Sequence, residues 1–172
     1  SRLLNSVLDN LQVHICNIHV RYEDPGQPLV GREPFALGIT LESIIVQSAS
    51  ADWKSVTISK DANLVYKLLA VNNFAVYWNC NSPPLSYPNT AQMVQLMGSL
   101  IYSDDVHPMQ NNYVLLPVSG VAKAVLNRKK TDMSLPKVRM DFGFDLIAVE
   151  LERRQYLDCL NMAHDFASYK RS

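Results

Sequence analysis

His14, Cys16 and His19 are the side chains whose types and spacing come nearest to chemistry, because two imidazoles and a thiol so close in sequence can ligate a transition metal. On a regular strand His14 and Cys16 share a face and His19 points the other way. A bulge at Asn17 would gather the three, but no fourth ligand stands nearby, and structural zinc sites take four converging ligands. Cys159 and His164 lie five apart in a helical stretch, off the i, i+4 spacing that stacks side chains. Arg21-Tyr22-Glu23-Asp24 concentrates charge at a strand end. Arg21 and Glu23 share a face there and can pair. Such an exposed pair is expected to be structural, contributing at most about 1 kcal/mol. No glycine-rich phosphate loop, G-x-S-x-G or H-E-x-x-H occurs in the chain. No catalytic residue, metal or cofactor is expected, and the chain is not expected to be an enzyme.

Composition narrows the partners. A chain of 172 residues is expected to form a single domain over 1–172, burying about two thirds of its surface on folding. The formal net charge is zero. No basic excess argues for nucleic acid, and the short Arg128-Lys129-Lys130 run reads as a solvated loop. Cys16, Cys80 and Cys159 are far apart and odd in number, which is expected of reduced thiols in a cytosolic setting. The absence of an N-x-[ST] sequon agrees with that compartment. The chain starts with Ser inside a helical pattern, as expected of a piece of a longer protein. Leu68 to Ser103 carries no charge, but its asparagines and prolines break the run of about 20 apolar residues that spans a bilayer.

The elements that must position any site are mostly strands. Lys137 to Leu146 alternates strictly: Val138, Met140, Phe142, Phe144 and Leu146 point one way, and Lys137, Arg139, Asp141, Gly143 and Asp145 the other. Phe35, Leu37, Ile39 and Leu41 alternate likewise, as do Phe74, Val76 and Trp78. The pattern predicts strands over Leu11 to Asp24, Phe35 to Ser48, Leu64 to Cys80, Tyr113 to Asn127 (broken at Pro117) and Pro136 to Glu152. In the first strand Leu11, Val13 and Ile15 have one parity, and Ile18, Val20 and Tyr22 the other. A bulge near Asn17 would return all six to one face. Helical spacing appears before Leu11, again from Tyr156 to Ala167, and over Ala91 to Tyr102 inside a long connection, 81–112.

The expected fold is therefore mainly β with flanking helices (α+β). About five long, twisted antiparallel strands form an open curved sheet, a half-pipe groove, with a helix at each end. At about 4.8 Å per strand the sheet is roughly 20 Å wide, too narrow to close as an eight-stranded barrel. The helices are too few to cover its apolar face, which a helix layer or second sheet normally does. The Ala91 to Tyr102 helix is expected either as a lid on the domain's own surface or as a contact with membrane or partner through Met97 and Ile101.

Several phrases in order are familiar. Leu11-Gln-Val, Asn17-Ile-His-Val-Arg-Tyr-Glu-Asp24, Pro34-Phe-Ala-Leu-Gly-Ile-Thr-Leu41, Asp52-Trp53, Ala75-Val-Tyr-Trp-Asn79 and Ala122-Lys-Ala-Val-Leu-Asn-Arg128 together resemble the extended chorein region of the vacuolar protein sorting thirteen family. The resemblance covers nearly the whole chain apart from the 81–112 connection. It implies one groove-forming unit of a long rod that carries glycerophospholipids between organelle membranes at contact sites, in the cytoplasm and without covalent chemistry. It implies glycerophospholipid as the transported ligand, and neighbouring units of the same chain and organelle membranes as partners. The wall would then be Phe35, Leu37, Ile39, Leu41, Phe74, Val76, Trp78, Val138, Met140, Phe142, Phe144 and Leu146. Two other readings stand beside it: a structural module whose apolar sheet is covered by a partner protein, and a hydrolase with an apolar pocket, for which no triad is visible.

Overall fold

A computed structural model describes residues 10–27, 29, 31–57, 62–103, 111–128 and 136–169. It contains β1 (Val13–Asp24), β2 (Phe35–Ala49), β3 (Leu64–Cys80), α1 (Thr90–Ser99), β4 (Tyr113–Asn127), β5 (Val138–Phe144) and α2 (Arg153–Tyr169). The strands form one antiparallel sheet in the order β1-β2-β3-β4-β5, so each pairs with its neighbour in sequence. The β-branched and aromatic residues that fill β2 and β3 fit such half-buried pleated surfaces. At about 3.3 Å per residue, the 17 residues of β3 extend roughly 55 Å. The helix expected before Leu11 lies outside the described residues except for Asn10, which is helical.

The β1–β2 turn is set by Asp24 and Gly26. The Gly26 N–H donates to Asp24 Oδ1 at 2.8 Å, and Gly26 has φ +72°. A Cβ there would lie 2.5 Å from the Arg32 carbonyl oxygen, so only glycine fits. Arg32 closes the turn on the Asp24 carboxylate at 2.8 Å.

The fourth strand keeps its expected limits, Tyr113 to Asn127, and Pro117 does not break it, because the sheet accommodates it beside the register shift between Phe74 and Val76. One expectation about strand limits is corrected. The regular fifth strand is shorter than Pro136 to Glu152. It stops at Phe144, and the chain bends at Asp145. The pairing direction nonetheless continues. Asp145 donates to the Ser119 carbonyl, Leu116 to that of Ala148 and Glu150 to that of Val114, at 2.9–3.0 Å.

A row of polar residues crosses the sheet where the alternation changes phase. Asn17 and Asn73 have left-handed backbones, with φ of 57° and 51°. Glu42 lies level with both, and none of the three takes a place in the paired ladder. Asn73 donates through Nδ2 to Glu42 Oε2 at 2.7 Å and through its backbone N–H to Ser119 Oγ at 3.0 Å. Asp145 pairs with Ser119 beyond it. A residue in a helical conformation breaks the two-residue repeat of a strand, so the residues either side of it no longer share a face. The apolar set Val13 and Ile15 is thereby returned to the side of Ile18, Val20 and Tyr22, as the change of parity in β1 requires. The αL form suits asparagine better than most residues, which is why asparagine stands at both positions.

Candidate functional site

The ladder rows show which side chains share the apolar face. On one side of the polar row, Tyr22, Leu37 and Trp78 lie abreast, as do Val20, Ile39, Val76 and Leu115. On the other, Val46, Leu69, Ala122 and Phe142 form a row, and Ile44, Val71, Gly120 and Phe144 the next. The β4 residues opposite Met140, Phe142 and Phe144 are small: Ala124, Ala122 and Gly120. A Cβ on Gly120 would lie 2.5 Å from Cδ1 of Phe144, so the ring lies over the glycine. Val138, Met140, Phe142 and Phe144 are all exposed, Met140 by 58% and Phe142 by 65%. Ile39 is also exposed, and Leu37, Phe74 and Val76 are half-buried.

Not every expected wall residue is open. Phe35 and Trp78 stack with ring centroids 5.0 Å apart and are 2% and 7% exposed. Gln155 of α2 donates to the Trp78 carbonyl at 2.9 Å. Cys80, two residues beyond Trp78 on the same face, hydrogen-bonds with Asp158. Burial, and then the nearby Asp158, push the Cys80 thiol up to about 12, so it stays protonated and is no nucleophile. The C-terminal helix thus packs on β3 at this end of the face, and Phe35, Trp78 and Leu41 are buried. Leu146 is also displaced. After the bend at Asp145 it borders a cavity of about 250 Å³ with Asn73, Tyr102, Leu116 and Ser119, on the side that carries the connection.

The opposite face is covered near β1 and β3 by residues 81–103. Asn89 caps α1, its Oδ1 accepting from the Gln92 N–H at 3.0 Å. Tyr77, fully buried with Ala75 and Tyr113, anchors the covering. His19 Nδ1 donates to the Met97 carbonyl at 2.8 Å, which leaves Nε2 to accept the Tyr77 hydroxyl at 2.8 Å. Arg21 donates to Glu23 at 2.7 Å and Ser82 at 3.1 Å, and Glu23 accepts from the Leu85 N–H at 3.0 Å. Arg21 and Glu23 are therefore not the exposed pair expected: the Arg21 side chain is 5% exposed and fastens the connection to the sheet. Ile101 is 7% exposed, so it belongs to this packing and offers no outward contact, while Met97 is half-buried.

His19 and Cys16 do not converge. The phase change at Asn17 puts all three on one side of the sheet, but His14 and Cys16 touch each other at 3.0 Å while His19 is engaged with Tyr77. Among the described residues no group of three His, Cys, Asp or Glu side chains could hold a metal. Among them also no helix is long and apolar enough to cross a membrane.

Burial holds the His19 imidazole below its usual pKa, with the Arg21 charge acting in the same direction against the Met97 hydrogen bond. As pH falls through about 6.5, an unfolded chain takes up this proton before the folded one does. Stability from His19 is complete above that pH and is lost as pH drops toward the folded value. The thermal midpoint should fall between pH 7.5 and 5.5, and less so in His19→Gln. Parallel slopes would rule out this role.

The chain resembles known proteins in sequence. It is 28% identical to the intermembrane lipid transfer protein tipC of Dictyostelium discoideum, matching 100% of this chain and 5% of that protein. It is 30% identical to mouse intermembrane lipid transfer protein VPS13A over 94% of this chain and 5% of the relative. It is 32% identical to the Chaetomium thermophilum intermembrane lipid transfer protein VPS13 over 95% of this chain, again 5% of the relative. The chain spans about a twentieth of the length of these relatives. The model of the VPS13-like family N-terminal region matches residues 1–172, and with an apolar sheet face open along β5, this chain belongs to the VPS13-like family.

Proposed function

We propose that this chain forms a segment of a hydrophobic groove that binds glycerophospholipids and lets them pass between membranes. The observation that carries the reading is the exposed row Val138, Met140, Phe142 and Phe144, continued across small β4 residues to Leu69 and Val71. Large apolar side chains left in water on one face of a sheet mark a binding surface. Burying an acyl CH2 is worth about 0.8 kcal/mol, so a two-chain lipid gains many kcal/mol on such a wall relative to water. The relatives' names supply the transfer between membranes. The wall residues are Leu37, Ile39, Phe74, Val76, Val138, Met140, Phe142 and Phe144. No bond is made or broken.

The protein acts in the cytoplasm, peripheral to organelle membranes at contact sites. Residues 1–172 are one unit, and neighbouring units of the same chain continue the sheet. The edge strands β1 and β5, each paired on one side only among the described residues, support this. Extraction of the purified protein followed by mass spectrometry tests the reading. Glycerophospholipid in stoichiometric amount is expected, and a lipid-free protein that also takes up none from liposomes rejects it.

A further inference from the structure

Trp53 has no part in the wall. It stands in the β2–β3 connection with a left-handed backbone, φ 62°. Its turn is closed by bonds from the Ser50 N–H to Lys54 O at 2.8 Å and from the Trp53 N–H to Ser50 O at 2.9 Å. A bulky residue at positive φ costs on the order of 1–3 kcal/mol, so the placement of this indole is enforced by its surroundings. The ring meets Tyr66 edge-on at 5.6 Å and 88°, and Lys123 Nζ sits over it at 5.2 Å.

The ladder places Tyr66, Val125 and Arg139 abreast, with Lys123 and Asp141 in a neighbouring row. On β5 these residues alternate with Val138, Met140 and Phe142, so they occupy the face turned away from the wall. A cavity of about 500 Å³ opens there. Trp53 and Tyr66 form an aromatic side, Val125 an aliphatic floor, and Lys123, Arg139 and Asp141 a charged rim. The volume lies within the range of ligand sites.

The chemistry selects the occupant. Lys123 already covers the indole, so a second cation is excluded from that surface. Two cations against one carboxylate leave the rim positive, which favours an anionic ligand. Arg139 bonds Asp141 at 3.2 Å, so a dianionic phosphate on Arg139 would lie against a carboxylate, whereas a single carboxylate can reach Lys123. Perpendicular aromatic rings beside an aliphatic floor take a flat or ring-bearing apolar side chain, as in grooves that read proline-rich segments. We propose that this cavity binds an extended peptide segment of a partner protein, in which a proline or aromatic residue lies next to Asp or Glu.

The test uses the intact protein and synthetic ten-residue peptides with one Phe or Pro flanked by Asp, read by fluorescence anisotropy. Saturable binding is expected, weakened at least about tenfold by Trp53→Ala and by Lys123→Glu, the scale of an interface hot spot. Peptides with Lys in place of Asp should not bind, and Phe142→Glu should leave peptide binding unchanged. If Trp53→Ala does not fold, Lys123→Glu decides, since it removes no apolar side chain from the cavity. The proposal is overturned if no peptide binds, if both variants bind like the parent, if the Lys-flanked peptides bind equally, or if the variants weaken only binding to phosphatidylserine vesicles.

Discussion

Met140→Glu combined with Phe142→Glu is expected to leave a folded chain that no longer carries lipid. Both side chains are more than half exposed in the absence of lipid, so a carboxylate at either position stays hydrated in the folded state. In a sealed core the same change would cost several kcal/mol, comparable with the whole stability of a domain. The cost falls instead on the lipid. An acyl chain crossing this stretch must either strip water from two carboxylates or leave the wall, and each option forfeits several kcal/mol. Lipid recovered with the intact protein should drop at least tenfold, and transfer between liposomes with it. Circular dichroism and the thermal midpoint should change little. Unfolding of the double variant would show a packed core, and transfer at the parent rate would show that β5 does not line the path.

Tyr77→Ala is expected to be the most destabilising single change among the described residues. The ring is fully buried against Ala75 and Tyr113, and its hydroxyl joins His19 to the sheet. Large-to-small changes at buried aromatic positions cost about 3–5 kcal/mol. The loss also leaves His19 Nε2 without its donor, so the Met97 end of the connection is released. Tyr77→Phe keeps the packing and removes only the hydroxyl, for about 1–3 kcal/mol. Gly38 limits any repair from outside the cavity, because a Cβ there would lie 2.5 Å from both Tyr77 Oη and the Val20 carbonyl oxygen. Urea unfolding of the purified chain checks the order of the two variants. A cost below about 1 kcal/mol for Tyr77→Ala would mean that the connection is not fastened by this side chain.

Much of this architecture can be read from residue order because a strand writes its burial in a two-residue period. Leu64–Cys80 was expected between those limits and is found between them. The change of parity at Asn17 was visible as a misfit between Ile15 and Ile18, and the left-handed asparagine accounts for it. What escaped depends on residues far apart in sequence. Alternation identifies Trp78 as an apolar-face residue but cannot show that Gln155 of α2, 77 residues later, bonds its carbonyl. Arg21 and Glu23 looked exposed because their partners, Ser82 and Leu85, lie in the part of the connection that precedes its helical spacing. The Trp53 cavity left only one sign in the sequence, an aromatic residue in a turn. Its meaning emerges when β3, β4 and β5 bring Tyr66, Lys123 and Arg139 beneath it.

The strand order has a consequence for how such a protein is made. Among the described residues each strand from β2 to β5 pairs with the one synthesised just before it, so the sheet grows by successive antiparallel pairings and none of these strands waits for a distant mate. During synthesis at about 5–20 residues per second, each new strand can dock as it leaves the ribosome, leaving a single live edge at the growing end. A sheet with this strand order can then be laid down from one end like planking on a keel, whatever its length. The backbone edge awaiting its neighbour at any moment is that of the last strand made, however long such a sheet becomes.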